Sequence, residues 1–382
     1  MDHIVNKVRA MAAGCACGQH RDISIAPIVL ERGALDSLSP FLREKGICSV
    51  TVVADAHTHG AAGAMVIGLL NKAGIHADLS IVEPNAVGDV IADEASVVQV
   101  MLDIPRAVTD VIIAVGSGTI HDIVRILSYK MDIPFISVPT APSVDGFTSV
   151  GAPLILRGEK KTIGAVAPIA LFGDLDILCE APKALVAAGF GDMMGKFTSL
   201  FDWRFGALTA GEPYCEATAA ITRDALNNCV AAVEEIAKRS EKGIRILMSS
   251  LIESGLAMLM FGQSHSASGA EHHLSHYWEM DVIKRGRRQL LHGAKVGVAC
   301  TLIAELYQGA RLSQTELYAE LALIPTPVTL REWLRGIGAP TTPEELGIDA
   351  ELLRNSLAEA HNVRLNRFTL LRAFNESNSS AQ

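Results

Sequence analysis

Two stretches in the second half of the chain carry residues suited to holding a divalent cation. Ser268-Gly-Ala-Glu-His-His-Leu-Ser-His-Tyr-Trp278 sets His272 and His276 four residues apart, so a helix presents both on one face. His292 opens Leu291-His-Gly-Ala-Lys-Val-Gly297, and Asp192 sits in the small, apolar run Gly189-Phe-Gly-Asp-Met-Met-Gly-Lys196. A carboxylate in such a run is costly to bury unless a partner or a metal satisfies it. One aspartate with two or three histidines from separate helices, completed by water, makes a divalent site. A single histidine on an apolar helix is more often structural. The HxxxH pair, the later His-Gly and the buried aspartate together reverse that preference. His273, on another face of the helix, is not expected to ligate.

A second chemistry is written in the first half. Val111-Ile-Ile-Ala-Val-Gly-Ser-Gly-Thr-Ile-His-Asp122 reads as a buried strand, a tight turn and a helix start. Glycines let backbone N–H groups approach an anion, and the helix adds its positive end. Gly116, Ser117, Gly118, Thr119 and Ile120 are therefore the expected pyrophosphate cradle. The pattern is neither the six-position dinucleotide fingerprint nor a P-loop, and alone it is equally an ordinary turn. His121 and Asp122 read as structural polar residues. Asp55 ends the strand-like run Ser49-Val-Thr-Val-Val-Ala-Asp55, where a carboxylate commonly binds a ribose hydroxyl and repels a 2′-phosphate. This predicts NADH over NADPH; the competing reading is a helix cap. Val138-Pro-Thr-Ala-Pro-Ser-Val-Asp-Gly-Phe-Thr-Ser149 leaves another strand, and its prolines stiffen a loop holding Thr140, Ser143, Asp145 and Ser149 toward one pocket.

The elements that must position these groups are legible in outline. Short apolar runs at 27–31, 49–55, 78–82, 111–115 and 134–138 alternate with helical stretches at 34–45, 61–73 and 95–102, the pattern of a parallel sheet covered on both faces. A hairpin, 154–157 and 161–164 joined through Gly158, precedes a last strand at 169–172. From about Ala181, long Ala/Leu/Met-rich segments predict helices at 214–239, 243–261, 269–283, 289–307, 329–335 and 351–371. The expected architecture is an α/β Rossmann-like nucleotide-binding domain, residues 1–180, followed by an all-α metal- and substrate-binding domain, residues 181–382. The polar tail 375–382 is expected to fray.

Composition narrows the partners. Of 382 residues, 49% are hydrophobic and 20% charged, enough for two buried cores. The net charge of −9 disfavours nucleic acid and anionic membrane surfaces, though not a small phosphorylated substrate in a local basic pocket. No signal peptide is legible and the longest apolar runs are strand-length, so a cytoplasmic chain without a membrane span is expected. The seven cysteines include no CxxC pair, and Cys15-Ala-Cys17 lacks the usual two-residue spacer. They read as reduced thiols without chemistry.

Taken together, Gly-Ser-Gly-Thr-Ile-His-Asp, Pro-Thr-Ala-Pro-Ser-Val-Asp-Gly-Phe and Ser-Gly-Ala-Glu-His-His-Leu-Ser-His-Tyr-Trp-Glu resemble the sn-glycerol-1-phosphate dehydrogenase family, closest to its bacterial, AraM-like branch. That family lies within the dehydroquinate synthase-like and iron-containing alcohol dehydrogenase superfamily. The likeness runs over roughly residues 20–370, with the motifs in family order. It implies dinucleotide contacts at Asp55, Gly116 to Ile120, Thr140, Ala141, Pro142, Ser143 and Ser149. It implies metal ligation by Asp192, His272 and His292, and substrate contacts at Asp145, Asp192 and His276, with Asp192 and His276 catalytic. The implied reaction is reversible reduction of dihydroxyacetone phosphate to sn-glycerol 1-phosphate with NAD(P)H and one divalent ion per subunit, nickel or zinc, in a homodimer. Lys160, Lys161, Arg364 and Arg367 are candidates for the substrate phosphate. A polyol dehydrogenase, a dehydroquinate-synthase-like lyase that turns over no net NAD, and a silent binding protein are the alternatives.

Overall fold

A computed structural model describes residues 3–379. Six strands, β1 (Ile28–Glu31), β2 (Ser49–Asp55), β3 (His76–Val82), β4 (Val111–Gly116), β5 (Phe135–Pro139) and β8 (Ala170–Asp174), form one sheet in the order β1-β8-β5-β4-β2-β3. Every pairing in it is parallel. Strand β4 is buried along its whole length, which explains its unbroken apolar sequence. One apolar cluster, built on Val52, Ile113 and Phe172, packs against one face. Another, built on Val53, Ile112 and Ile123, packs against the other. The helices Ala64–Lys72, Glu94–Asp103 and Gly118–Met131 supply the crossovers that parallel strands require.

The expected hairpin is present as β6 (Gly151–Leu156) and β7 (Glu159–Gly164), an antiparallel pair. Arg157 and Gly158 both take left-handed backbone conformations, φ 54° and 76°, the geometry of a tight turn whose twist matches its strands. After β8 the chain is helical. Two predicted helices break. The segment 214–239 divides into Glu216–Ala231 and Val233–Ala237. The segment 351–371 becomes Ala350–Glu359, a 3-10 turn Ala360–Arg364, and Leu370–Ser379. Tertiary hydrogen bonds replace the helical ladder there: Leu370 N donates to Asp202 Oδ1 at 3.0 Å and Phe368 N to Glu212. The turn carries Arg364 and Arg367 toward the site. Residues 375–379, expected to fray, continue the last helix; residues 380–382 lie outside the described part.

The helix Glu241–Phe261 is long and apolar enough to cross a membrane by composition, and most of it is buried in the core. A large cluster joins it to Leu171, Leu175 and Phe147 of the sheet half and to Phe190 and Met193 of the helical half. A helix not foreseen from the sequence, His3–Ala12, buries Val5 and Val8 there.

Candidate metal centre and nucleotide cleft

Strand β2 runs on to β3 at one edge while β4 runs on to β5 in the opposite direction, so the chain changes direction between β2 and β4. Open α/β sheets bind ligands beyond the strand ends at such a point. Asp55 and Gly116 end those two strands, aligned by the register that pairs Val53 with Ala114. Ser117 starts the helix Gly118–Met131 without its side chain capping it, which leaves the first N–H groups available to a phosphate. A Cβ at Gly116 would lie 2.7 Å from Ile120 Cγ1, so only glycine permits the turn. Thr140 N donates to Gly116 O at 3.0 Å and Val144 lies against Gly118, docking the second loop on the first. Ser143 Oγ is buried with no hydrogen-bond partner among the described residues, whereas Ser149 Oγ donates to Gly146 O. Ala141 is buried in the core.

Asp55 plays the part weighed against ribose binding: Oδ1 accepts from His57 N and Thr58 N, both at 2.8 Å, as a helix cap. No hydrogen bond is formed by its Oδ2 among the described residues. His121 is bonded to Ser117 O and Ser137 Oγ, and burial pushes it down to about 3, so it is neutral and structural. Asp122 receives Arg125 Nη1 at 2.8 Å.

Asp192, His272 and His292 converge from the helices Lys183–Met194, Ala270–Lys284 and His292–Tyr307, with one ligand atom from each within 4.8 Å of the others. Close backbone approach makes this geometry. A Cβ on Gly293 would lie 1.7 Å from Ala188 O, and one on Gly189 1.8 Å from Pro142 O. The second contact sets the loop after β5 on the helix that carries Asp192. Asp145 N donates to Asp192 Oδ2 at 2.9 Å, tying the same two elements together.

The donor set suits a divalent ion. Glu271 Oε1 lies 2.7 Å from His272 Nδ1, and a carboxylate can only accept, so Nδ1 donates. In the neutral ring Nε2, 3.7 Å from Asp192 Oδ1, then turns its lone pair to the centre, and despite burial Asp192 and Glu271 raise the ring's pKa when no cation is there. His292 Nδ1 is buried without a hydrogen-bond partner among the described residues. Burial holds His292 well below the usual histidine range despite Asp192, so the ring is neutral, the form in which an imidazole can ligate a metal. Burial would raise the Asp192 carboxyl, but the Lys196 ammonium and His272 keep it well below the usual range. Formally, Asp192, Asp145 and Glu271 against Lys196 leave two negative charges, which a divalent cation neutralises.

Three of these groups escaped the sequence reading. Lys196, fully buried, reaches Asp192 Oδ1 and Asp145 Oδ2, both at 2.8 Å. Its spacing of four from Asp192 was the available signal. Glu271 was overlooked beside the histidines, and Ser254 Oγ donates to Asp145 Oδ2 at 2.8 Å.

His276 lies outside the three-ligand group, its ring centre 6.3 Å from that of His272 and 6.2 Å from that of His292. Burial, then Lys160 and Arg364, hold it well below the ordinary range, so it is neutral. The four phosphate candidates part company. Lys161 is exposed and pairs with Glu159, and Arg367 is held by Ser268 O and Glu212. Both are occupied structurally. Lys160 pairs with Glu279 at 2.7 Å, a carboxylate it shares with Lys295. Arg364, half-buried, touches only hydroxyls, Ser268 at 3.0 Å, Ser264 at 3.3 Å and Thr162 at 3.5 Å, with no ion pair among the described residues. Burial and Arg367 push it down to about 10, so it remains a cation without a counter-ion at neutral pH.

Residues 29–182 match a family model described as iron-containing alcohol dehydrogenase. The glycerol-1-phosphate dehydrogenase (NAD(P)+) of Geobacillus stearothermophilus is 48% identical over 98% of this chain and 99% of its own length. The enzyme of that name from Bacillus subtilis is 46% identical over 93% and 92%. Among solved structures, maleylacetate reductase from Rhizobium sp. strain MTP-10005 superposes with a TM-score of 0.71 at 16% identity, covering 94% of this chain and 96% of that one, a likeness of fold. By these full-length matches the chain belongs to the glycerol-1-phosphate dehydrogenase family.

Proposed function

We propose that this protein catalyses the reversible reduction of dihydroxyacetone phosphate to sn-glycerol 1-phosphate by NAD(P)H at a divalent metal held by Asp192, His272 and His292. The observation that carries the reading is the junction of the two sites: Asp145, in the nucleotide loop, donates its backbone N–H to the metal-site carboxylate Asp192. A dinucleotide lying on Gly116 to Ile120, with Asp55 at its ribose and Thr140, Ala141, Pro142, Ser143 and Ser149 along its other end, meets the metal centre there. When bound, the ion polarises the ketone oxygen and the nicotinamide supplies the hydride. Asp145 and Lys196 fix the carboxylate's direction, and Asp145 borders the substrate. Neutral His276 hydrogen-bonds the substrate and passes on the one solvent proton that the alkoxide takes up. Arg364 binds the phosphate, with Lys160 reinforcing the positive field at that end. In this reading residues 1–180 bind nucleotide and residues 181–382 bind metal and substrate. A cytoplasmic homodimer loaded with nickel or zinc is part of the same proposal, tested by light scattering and elemental analysis.

The phosphate distinguishes this reaction from polyol oxidation. Arg364→Ala is expected to lower kcat/KM for dihydroxyacetone phosphate by about 10–10²-fold, the worth of a charged hydrogen bond. Its kcat/KM for unphosphorylated dihydroxyacetone should stay unchanged. Equal losses with both substrates would remove the phosphate assignment. NADH should outperform NADPH, because the Asp55 carboxylate keeps an oxygen toward the ribose, and Asp55→Ala should narrow the ratio. An unchanged ratio would leave Asp55 a helix cap only.

A further inference from the structure

Away from this centre, the segment following the first helix approaches the start of the helix Glu216–Ala231. Cys15, Cys17 and His20 from the segment meet Cys215, and one donor atom from each of the four lies within 4.8 Å of the rest. Cys15 Sγ is 3.6 Å from Cys215 Sγ, and His20 Nε2 is 3.1 Å from the same sulfur. A tetrahedral zinc ion with ordinary Zn–S and Zn–N bond lengths separates two sulfurs by about 3.8 Å, and a sulfur and a nitrogen by about 3.5 Å. Those two separations lie within a few tenths of an ångström of the zinc values, and the remaining donor pairs lie within 4.8 Å.

Cys215 caps its helix, with Thr218 N donating to Sγ at 3.4 Å, so the sulfur lies at the positive end of the helix dipole. Gln19 N donates to Cys17 Sγ at 3.5 Å. Gly18, at φ 67°, provides the left-handed turn that brings His20 back beside Cys17. On the inner side Cys15 and Cys17 pack on Leu200, Trp203, Ala219 and Phe261, which limits access of water. Arg21 N donates to Met260 O at 2.7 Å and pins the end of the segment. Cys15, Cys17 and Cys215 are all free of disulfides.

We infer that Cys15, Cys17, His20 and Cys215 form a structural zinc site separate from the catalytic metal. Three cysteines and one histidine are a closed tetrahedral set with no position left for substrate, which marks the site as structural. Binding expels three thiol protons to solvent and moves no electrons. The sequence hid the site because its fourth ligand lies 195 residues beyond His20. The ion would staple the N-terminal segment to the wall that includes Trp203. That ring lies 6.2 Å from His265, on the segment whose Ser264 and Ser268 hold Arg364.

The test uses the reduced holoenzyme and its cobalt-substituted form. Wild-type protein should carry two equivalents of tightly bound metal per chain. With cobalt it should show the intense thiolate-to-cobalt charge-transfer absorption that an Asp/His site, having no sulfur, does not give. Asp192→Ala should lose one equivalent and keep that absorption. Cys15→Ser/Cys17→Ser should lose the other equivalent together with the absorption, and unfold at a lower temperature. The wild-type spectrum keeps the inference testable even if the double variant folds poorly. No charge-transfer absorption in the wild type, absorption unchanged in the double variant, or a Cys15–Cys215 disulfide in protein isolated under reducing conditions would each overturn it. None of these outcomes depends on which substrate the catalytic centre takes.

Discussion

Replacing His292 with alanine is expected to empty the catalytic metal centre and to lower kcat/KM for dihydroxyacetone phosphate by about 10³-fold or more, the equivalent of several kcal/mol of charge stabilisation at the ketone oxygen. The same outcome is expected for Asp192→Ala and His272→Ala, because each removes one of the three donors that converge there among the described residues. The helix His292–Tyr307 should persist, since its core contacts run through Val296, Val298 and Ile303 and owe nothing to the imidazole. Elemental analysis separates loss of metal from loss of fold: one equivalent should leave while the circular dichroism stays. His276→Ala makes the contrast. It should keep the metal and lose roughly 10²–10⁴-fold in kcat/KM, as expected of a group that moves a proton or positions the substrate. Full metal content in all three ligand variants would remove the assignment, and metal loss in His276→Ala would move that residue into the ligand set.

Lys196→Met should be the most destabilising single change near the site. The ammonium is fully buried and balances two carboxylates, Asp192 and Asp145. Burial opposes its charge, yet those carboxylates hold its pKa above the ordinary lysine value, so it is charged in the folded protein. Methionine has nearly the same length and leaves two negative groups facing each other out of water. Removing one partner of a buried ion pair costs about 3–5 kcal/mol. A lowered urea midpoint is the readout, with Lys196→Arg compared to test whether charge alone suffices. A midpoint equal to the wild type's would show that the two carboxylates are balanced some other way.

How far the sequence reached can be followed residue by residue. Val111–Gly116 was legible because a parallel strand buried on both faces must be apolar throughout. His272 and His276 were legible because a helix repeats its face at four residues. Lys196 was not, although its spacing from Asp192 was in view. Lysine ordinarily stays in water, and the second carboxylate that makes its burial tolerable lies in a loop remote in sequence. The cysteine cluster stayed hidden for the same reason of distance along the chain. The break in the segment 351–371 was a tertiary override: local pattern favoured a continuous helix, and Asp202 and Glu212 captured its backbone N–H groups instead. Asp55 shows a different limit. Its place at a strand end fitted ribose binding and helix capping equally, and the geometry gives one oxygen to the cap.

The most direct test of metal-dependent ketone reduction is NADH oxidation by dihydroxyacetone phosphate, followed spectrophotometrically before chelation, after it, and after return of nickel or zinc, with the product's configuration determined. One NADH should be consumed for each glycerol phosphate formed, the product should be the sn-1 isomer, and activity should vanish with the metal and return with it. Product formed without net NADH consumption, or turnover undiminished in protein shown to have lost the Asp192–His272–His292 metal, would contradict it.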